Sequence, residues 1–385
     1  VTSGSERSVR PLLEGLTGVR AIAAAWVVIE HFRHPLFALI PRTNGIEPYV
    51  MAGFLGVEVF FVLSGFIIAY NYAERFQAFN VTSYRDFLIL RVARIYPVHL
   101  LTLLIVTALF TGAAVMGIKL SAEAIFGPAN VFGNLLMLQA LPPFDALNGP
   151  AWSIGAEFAA YIAFPVVALW LARLKTPRSA FFSAAAVCAA GLTVMMWVTT
   201  TIGSSPTGYE MIWIRISTEF TLGTLLYAGW RHLGARKTGN LWDWLAIVSL
   251  VCVLATVAVS GGDSTRGLLA LPFIALLVLS CAGATGWVGG LLRSRLMQWG
   301  GRISYSVYMT HFLLLMIFGK LLPWDRFEND WIIIRVLLML AYYAAVVGAG
   351  AACYHWVEEP SRKRIRKVMA SRQNKRTVRP VESFV

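Results

Sequence analysis

The feature that most constrains this chain is a succession of ten apolar stretches, each roughly 20 residues long, the length a bilayer core demands of a helix. They fall at about 16–36, 51–72, 95–117, 151–172, 180–202, 211–230, 241–260, 267–286, 303–322 and 331–355. Hydrocarbon offers no hydrogen-bond partner to a bare backbone, so such a chain satisfies its peptide groups internally. The fold class expected is all-α, a polytopic membrane helix bundle of about ten transmembrane helices. Residues 130–141 are apolar but too short to span and read as a re-entrant or interfacial piece. Only 14% of the 385 residues are charged, against roughly 25% in soluble domains, which excludes a large soluble unit. The domain reading is a short N-terminal segment (1–15), a membrane domain (16–360) and a basic tail without fixed structure (361–385).

Lys and Arg give the orientation. With the N-terminus placed in the cytoplasm, 24 of the 33 fall in inner segments and six in outer ones. That asymmetry predicts N-in, C-in topology, and it assigns the net charge of +13 to the membrane surface rather than to nucleic acid. The first apolar stretch reads as a retained helix, with no small-residue cleavage site after it. The four cysteines are scattered in apolar segments without a CxxC or Cys/His cluster, so neither a metal site nor a disulfide framework is expected.

Ionisable residues inside spanning helices are costly and mark function by default. Arg20 and His31 share one helical stripe, since eleven residues at 100° each end about 20° past three turns, roughly 16 Å along the axis. Arg91 and Arg94, at i, i+3, present two guanidinium forks on one face, a geometry suited to phosphate or pyrophosphate. In AWSIGAEFAAYIAFP (151–165), Ser153 and Glu157 share a face, and Glu157 is expected at a depth close to that of His31. A carboxylate paired with His31 would orient the ring and raise its basicity, as a general base requires. Glu58, in GVEVFFVLSGFIIAY (56–70), is an equal candidate for that pairing. Ser304, Tyr308 and His311 form a polar stripe on the ninth span, lining a cavity or hydrogen-bonding between helices.

Taken in order, these elements resemble the membrane acyltransferase-3 family, bacterial integral-membrane O-acyltransferases. The resemblance rests on the Arg-x10-His of Arg20 and His31, on FFVLSGF at 60–66, and on RxxRIYP from Arg91 to Pro97. It rests also on WSxxxE from Trp152 to Glu157, on GRISYSVYxxH from Gly301 to His311, and on the closing Glu358-Glu359-Pro360. It implies an acyl-CoA donor, acetyl-CoA first among them, that binds from the cytoplasm with its phosphates at Arg91, Arg94 and Arg20. It implies an acceptor hydroxyl on a cell-surface polysaccharide, a glycolipid or a secreted metabolite. His31 would act as general base, oriented by Glu157 or Glu58, with Trp152, Ser153, Ser304, Tyr308 and His311 lining the site. The location expected is the bacterial inner membrane, with membrane lipids as further partners and no nucleic acid. Intramembrane Arg, His and Glu also suit a proton-coupled transporter or lipid flippase, although no repeat symmetry is visible.

Overall fold

A computed structural model describes residues 13–40, 45–117, 126–203, 208–233 and 240–377. Arg7, Arg10, Arg42, Lys119, Arg236, Lys237 and Arg379, used above for orientation, lie outside them. The described residues form α-helices with short 3-10 and π turns and contain no strand. The helices are α1 (Glu14–His31), α2 (Arg33–Leu39), α3 (Glu47–Met51), α4 (Leu55–Tyr72), α5 (Val81–Val115), α6 (Pro128–Leu135), α7 (Trp152–Leu171) and α8 (Pro177–Ile202). There follow α9 (Tyr209–Leu233), α10 (Leu241–Ser260), α11 (Ser264–Gly267), α12 (Leu271–Gly283), α13 (Trp287–Leu292), α14 (Arg295–Leu321), α15 (Ile332–Cys353) and α16 (Glu359–Thr377).

Each of the ten apolar stretches is helical, but they differ as spans. Among the described residues, eight helical runs are long and apolar enough to cross a membrane, and nine if the bent pair α1–α2 counts as one. The first stretch is not one straight helix: it turns by 65° at Phe32, immediately after His31. The sixth, α9, has the length, but Arg215, Thr218 and Glu219 interrupt its apolar character and are all buried. The third begins earlier than expected. Asn80 caps α5 by accepting from the Ser83 backbone N–H at 2.9 Å, and the helix runs 35 residues, about 52 Å at 1.5 Å per residue. Arg91 and Arg94 are thus inside a continuous helix and not on a loop at its mouth. The short stretch at 130–141 is α6 and a following turn, too short to span.

Part of the tail expected to lack fixed structure, residues 361–377, is helical, and residues 378–385 lie outside the described ones. From residue 361 the chain continues as α16 to Thr377, joined to α15 through a π-turn at Tyr354–Glu358. Its Arg and Lys residues are good helix formers, and Glu359 pairs with Lys363 one turn on at 2.9 Å.

α4 sits at the centre, buried on nearly every side. It can lie against α9 because Gly65 faces the Phe220 carbonyl and Gly223 faces the Val62 carbonyl, with no room for a Cβ at either. Gly301 meets the Thr17 carbonyl in the same way, which brings α14 against α1. Between apolar helices in hydrocarbon, small residues of this kind set how near the backbones come. The one partly open stripe of α4, Phe60, Ser64 and Ile67, recurs at helical spacing and faces inward, where five helices meet.

Candidate active site

That inward stripe forms one wall of a polar cavity of about 100 Å³. α1 supplies Arg20, α5 supplies Arg91 and Arg94, α7 supplies Ser153, Glu157 and Tyr161, and α14 supplies Tyr305 and Tyr308. Six of the eleven residues expected at the site therefore converge on one volume, from four separate stretches of chain.

Each arginine is held. Arg20 donates through Nε and Nη2 to Ser304 Oγ, at 3.3 and 3.2 Å. Arg91 Nη2 donates to Tyr72 Oη at 2.7 Å, and its guanidinium lies over the Tyr72 ring, 4.9 Å from the centroid. Arg94 forms an ion pair with Glu358, which also accepts from Ser306 Oγ at 2.7 Å. Opposite them, Glu157 accepts from Ser64 Oγ and from Tyr161 Oη, both at 2.5 Å. Charge-assisted bonds from two neutral donors keep a carboxylate in a site that is otherwise cationic.

His31 is placed differently from the expectation. It does not line the cavity. Its Nδ1 is 3.0 Å from the Val27 carbonyl oxygen and 2.9 Å from Glu30 Oε2. A carbonyl only accepts, so Nδ1 carries a proton, and in the neutral ring Nε2 then holds the lone pair. The side chain keeps 27% of its exposure, enough for a hydroxyl to reach it. Its ring meets the edge of His311 at 4.8 Å between centroids; His311 packs on Tyr308 at 5.8 Å, and Tyr308 lines the cavity. A file of rings thus joins His31 to the cavity wall.

Neither carboxylate expected beside His31 is there. Glu58 is fully buried and receives both Nε and Nη2 of Arg215, the former at 3.3 Å. Position 58 is turned away from the cavity stripe toward α9, where Glu219 completes a buried cluster with this pair. Trp152 belongs to that cluster as well, its ring 5.1 Å from the Arg215 guanidinium carbon. Glu157 is spent on Ser64 and Tyr161. The carboxylate at His31 is Glu30, which also pairs with Arg33. Adjacent helical residues diverge by 100°, so stripe reasoning passes over Glu30. Its signal was a charge inside the first apolar stretch.

Ser304 and His311 stand behind the cavity and not on its surface. Ser304 anchors Arg20 and donates to the Gly301 carbonyl at 2.9 Å; its other side borders an apolar groove between α1, α14 and α15. His311 is fully buried, with Nδ1 3.3 Å from the Val307 carbonyl and Nε2 without a partner. Ser153 Oγ lies 2.8 Å from Tyr308 Oη, and both hydroxyls reach the Pro150 carbonyl. Tyr161, Tyr305 and Glu358 were not singled out from sequence, although each lay in a quoted stretch.

The fold and cavity define a class, a multi-helix membrane protein with a cationic, tyrosine-rich site enclosed by the bundle. The chain belongs to the acyltransferase-3 family, whose acyltransferase-domain model matches residues 13–355. It is 28% identical to the acyltransferase MdmB of Streptomyces mycarofaciens over 90% of this chain and 91% of that protein. It is 25% identical to YrhL of Bacillus subtilis, a candidate peptidoglycan O-acetyltransferase, over 91% of this chain. A candidate O-acetyltransferase of Staphylococcus aureus strain COL is 22% identical over 79% of this chain. The chain spans 55% and 50% of the length of these last two. No solved structure matches it.

Proposed function

We propose that this protein is an acyl-CoA-dependent O-acyltransferase of the bacterial inner membrane. It moves an acyl group, acetyl in the simplest case, from a cytoplasmic thioester to a hydroxyl of a cell-surface glycan, glycolipid or secreted metabolite. The observation that carries this is the placement of Arg20 and His31 on one rigid helix, one in a cationic cavity and the other beside a carboxylate, with Nε2 free.

The inner end of the bundle is the one with the basic residues, by the same Lys and Arg asymmetry that orients the chain. There Arg91, Arg94 and Arg20 receive the phosphates of the donor, as guanidinium forks do. The thioester then lies toward His31, on the order of 16 Å along α1 from Arg20. The acceptor hydroxyl arrives from the outer side and loses its proton to His31 Nε2 as its oxygen bonds to the acyl carbon. The carbon–sulfur bond breaks, and the proton passes from His31 to the departing sulfur, so the products are an ester and a thiol. Glu30 and the Val27 carbonyl hold the ring in the productive tautomer and stabilise the imidazolium between these transfers. The surrounding rings keep water from the thioester. Candidates for the acceptor follow the relatives' descriptions, in which peptidoglycan is one.

The test is thiol release from acetyl-CoA by the purified protein in nanodiscs, with a panel of sugar acceptors, for the unaltered protein and His31→Ala. Acceptor-dependent release that is lost in the variant supports the reading. Equal release by both removes His31 from the chemistry.

A further inference from the structure

α16 packs against α5, and the π-turn before it carries the Glu358 that pairs with Arg94. Following Glu358 of the π-turn, the side of α16 turned to the bundle reads Arg362, Ile365 and Met369, four, seven and eleven residues on. Met369 is buried, and Arg362 and Ile365 are half-buried. Arg362 stands within electrostatic reach of Arg94 and Arg20, and Arg366 within reach of Arg91, Tyr72 and Arg362. Where α16 packs on α5, Arg362 is therefore near Arg94 and Arg20, and Arg366 near Arg91.

Five guanidinium groups gather in this way at one end of the cavity. Two carboxylates face them, Glu157 and Glu358, while Glu359 is taken by Lys363 on the outer side of α16. Arg20, Arg91, Arg94 and Arg362 are half-buried and Arg366 is exposed; like charges gathered in this way repel, most where they are least hydrated. Arg91 Nε, moreover, is buried without a hydrogen-bond partner. Unmatched positive charge and an unused donor in one place fit a multivalent anion with several oxygen acceptors.

We infer that α16 is one jaw of a phosphate clamp, with Arg362 and Arg366 gripping from one side the phosphate groups that Arg91 and Arg94 meet from the other. The inference rests on the acyl-CoA reading above and adds to it a second helix and two binding residues. Anionic lipid headgroups offer the same phosphate chemistry, and the experiment separates the two sources.

The measurement is the Kd of coenzyme A for the full chain in phosphatidylcholine nanodiscs free of anionic lipid, for the unaltered protein and R362Q/R366Q. Glutamine keeps helix propensity while removing both charges. The clamp requires the double variant to bind coenzyme A about 10-fold more weakly or worse, as loss of charge-assisted bonds implies. It also requires a shallower fall of affinity with added salt. R362K/R366K retains the charges but loses the bidentate fork, and should fall between the two. It guards against a folding defect in the first variant. Unchanged Kd and salt dependence in R362Q/R366Q overturn the clamp while leaving the donor reading standing. A defect seen only when phosphatidylglycerol is added also overturns it and assigns the two arginines to lipid. If the unaltered protein binds no coenzyme A at all, the donor reading fails and the clamp fails with it.

Discussion

Glu30 Oε2 lies 2.9 Å from His31 Nδ1, so the carboxylate beside the histidine is its neighbour in the chain. The contact forms at the end of α1, where the helix breaks at Phe32. If His31 is the base, as proposed, His31→Ala should lower acceptor-dependent acyl transfer by about 10²- to 10⁴-fold. Glu30→Gln should lower it by about 10- to 100-fold, the equivalent of one charge-assisted hydrogen bond. The check is kcat for both variants beside circular dichroism, which should be unchanged. A Glu30→Gln enzyme at full rate would show that the Val27 carbonyl suffices to hold the ring.

Glu58 and Arg215 should govern stability and not chemistry. Breaking a buried pair by removing one partner costs about 3–5 kcal/mol when the other charge is left uncompensated. Glu58→Ala leaves Arg215 with Glu219 alone as its carboxylate neighbour, so it should lower the Tm of the detergent-solubilised protein by less than that full cost. Glu58→Met with Arg215→Met should recover part of that loss. A Glu58→Ala protein of normal Tm with no acyl transfer would instead place Glu58 in the reaction.

Arg91 and Arg94 should part company on substitution. Arg91 leans on Tyr72, a neutral partner, so Arg91→Ala is expected to raise the KM for acetyl-CoA about 10-fold or more at near-normal Tm. Arg94 neutralises buried Glu358, so Arg94→Ala should raise KM and lower Tm together. Adding Glu358→Gln to Arg94→Ala should restore Tm and leave KM high. Steady-state kinetics and thermal unfolding on the same preparations decide it.

Gly65 tests the packing of the central helix. A methyl group there would press on the Phe220 carbonyl, which belongs to backbone and cannot rotate away. Gly65→Ala should cost about 1–3 kcal/mol, and Gly65→Val more, measured as a fall in Tm and in yield of monodisperse protein.

What was legible in the sequence followed helical periodicity. Arg91 with Arg94, and Ser153 with Glu157, share a face because their spacing requires it, and all four line the cavity. Apolar runs of bilayer length likewise marked where helices lie. Partners across helices were not legible. Glu58 and Glu157 sit in similar apolar surroundings in the sequence, yet one faces Arg215 and the other Tyr161, because helix rotation and crossing decide what each meets. Depth was a weak guide too: Glu157 was expected level with His31, yet it lines the cavity with Arg20, which stands about 16 Å from His31 along α1. The tail looked structureless by charge alone. Its order comes from contacts with α5 that composition does not encode.

α1 runs unbroken from Glu14 to His31 before the chain turns. It is therefore a ruler with two marks, and what it holds constant between Arg20 and His31 is a length and a phase. One residue inserted between them would rotate one mark by about 100° about the axis and move it about 1.5 Å along it. Every side chain of the proposed site would remain present and chemically intact, but Arg20 and His31 would no longer stand in the register that one ligand reaching both requires.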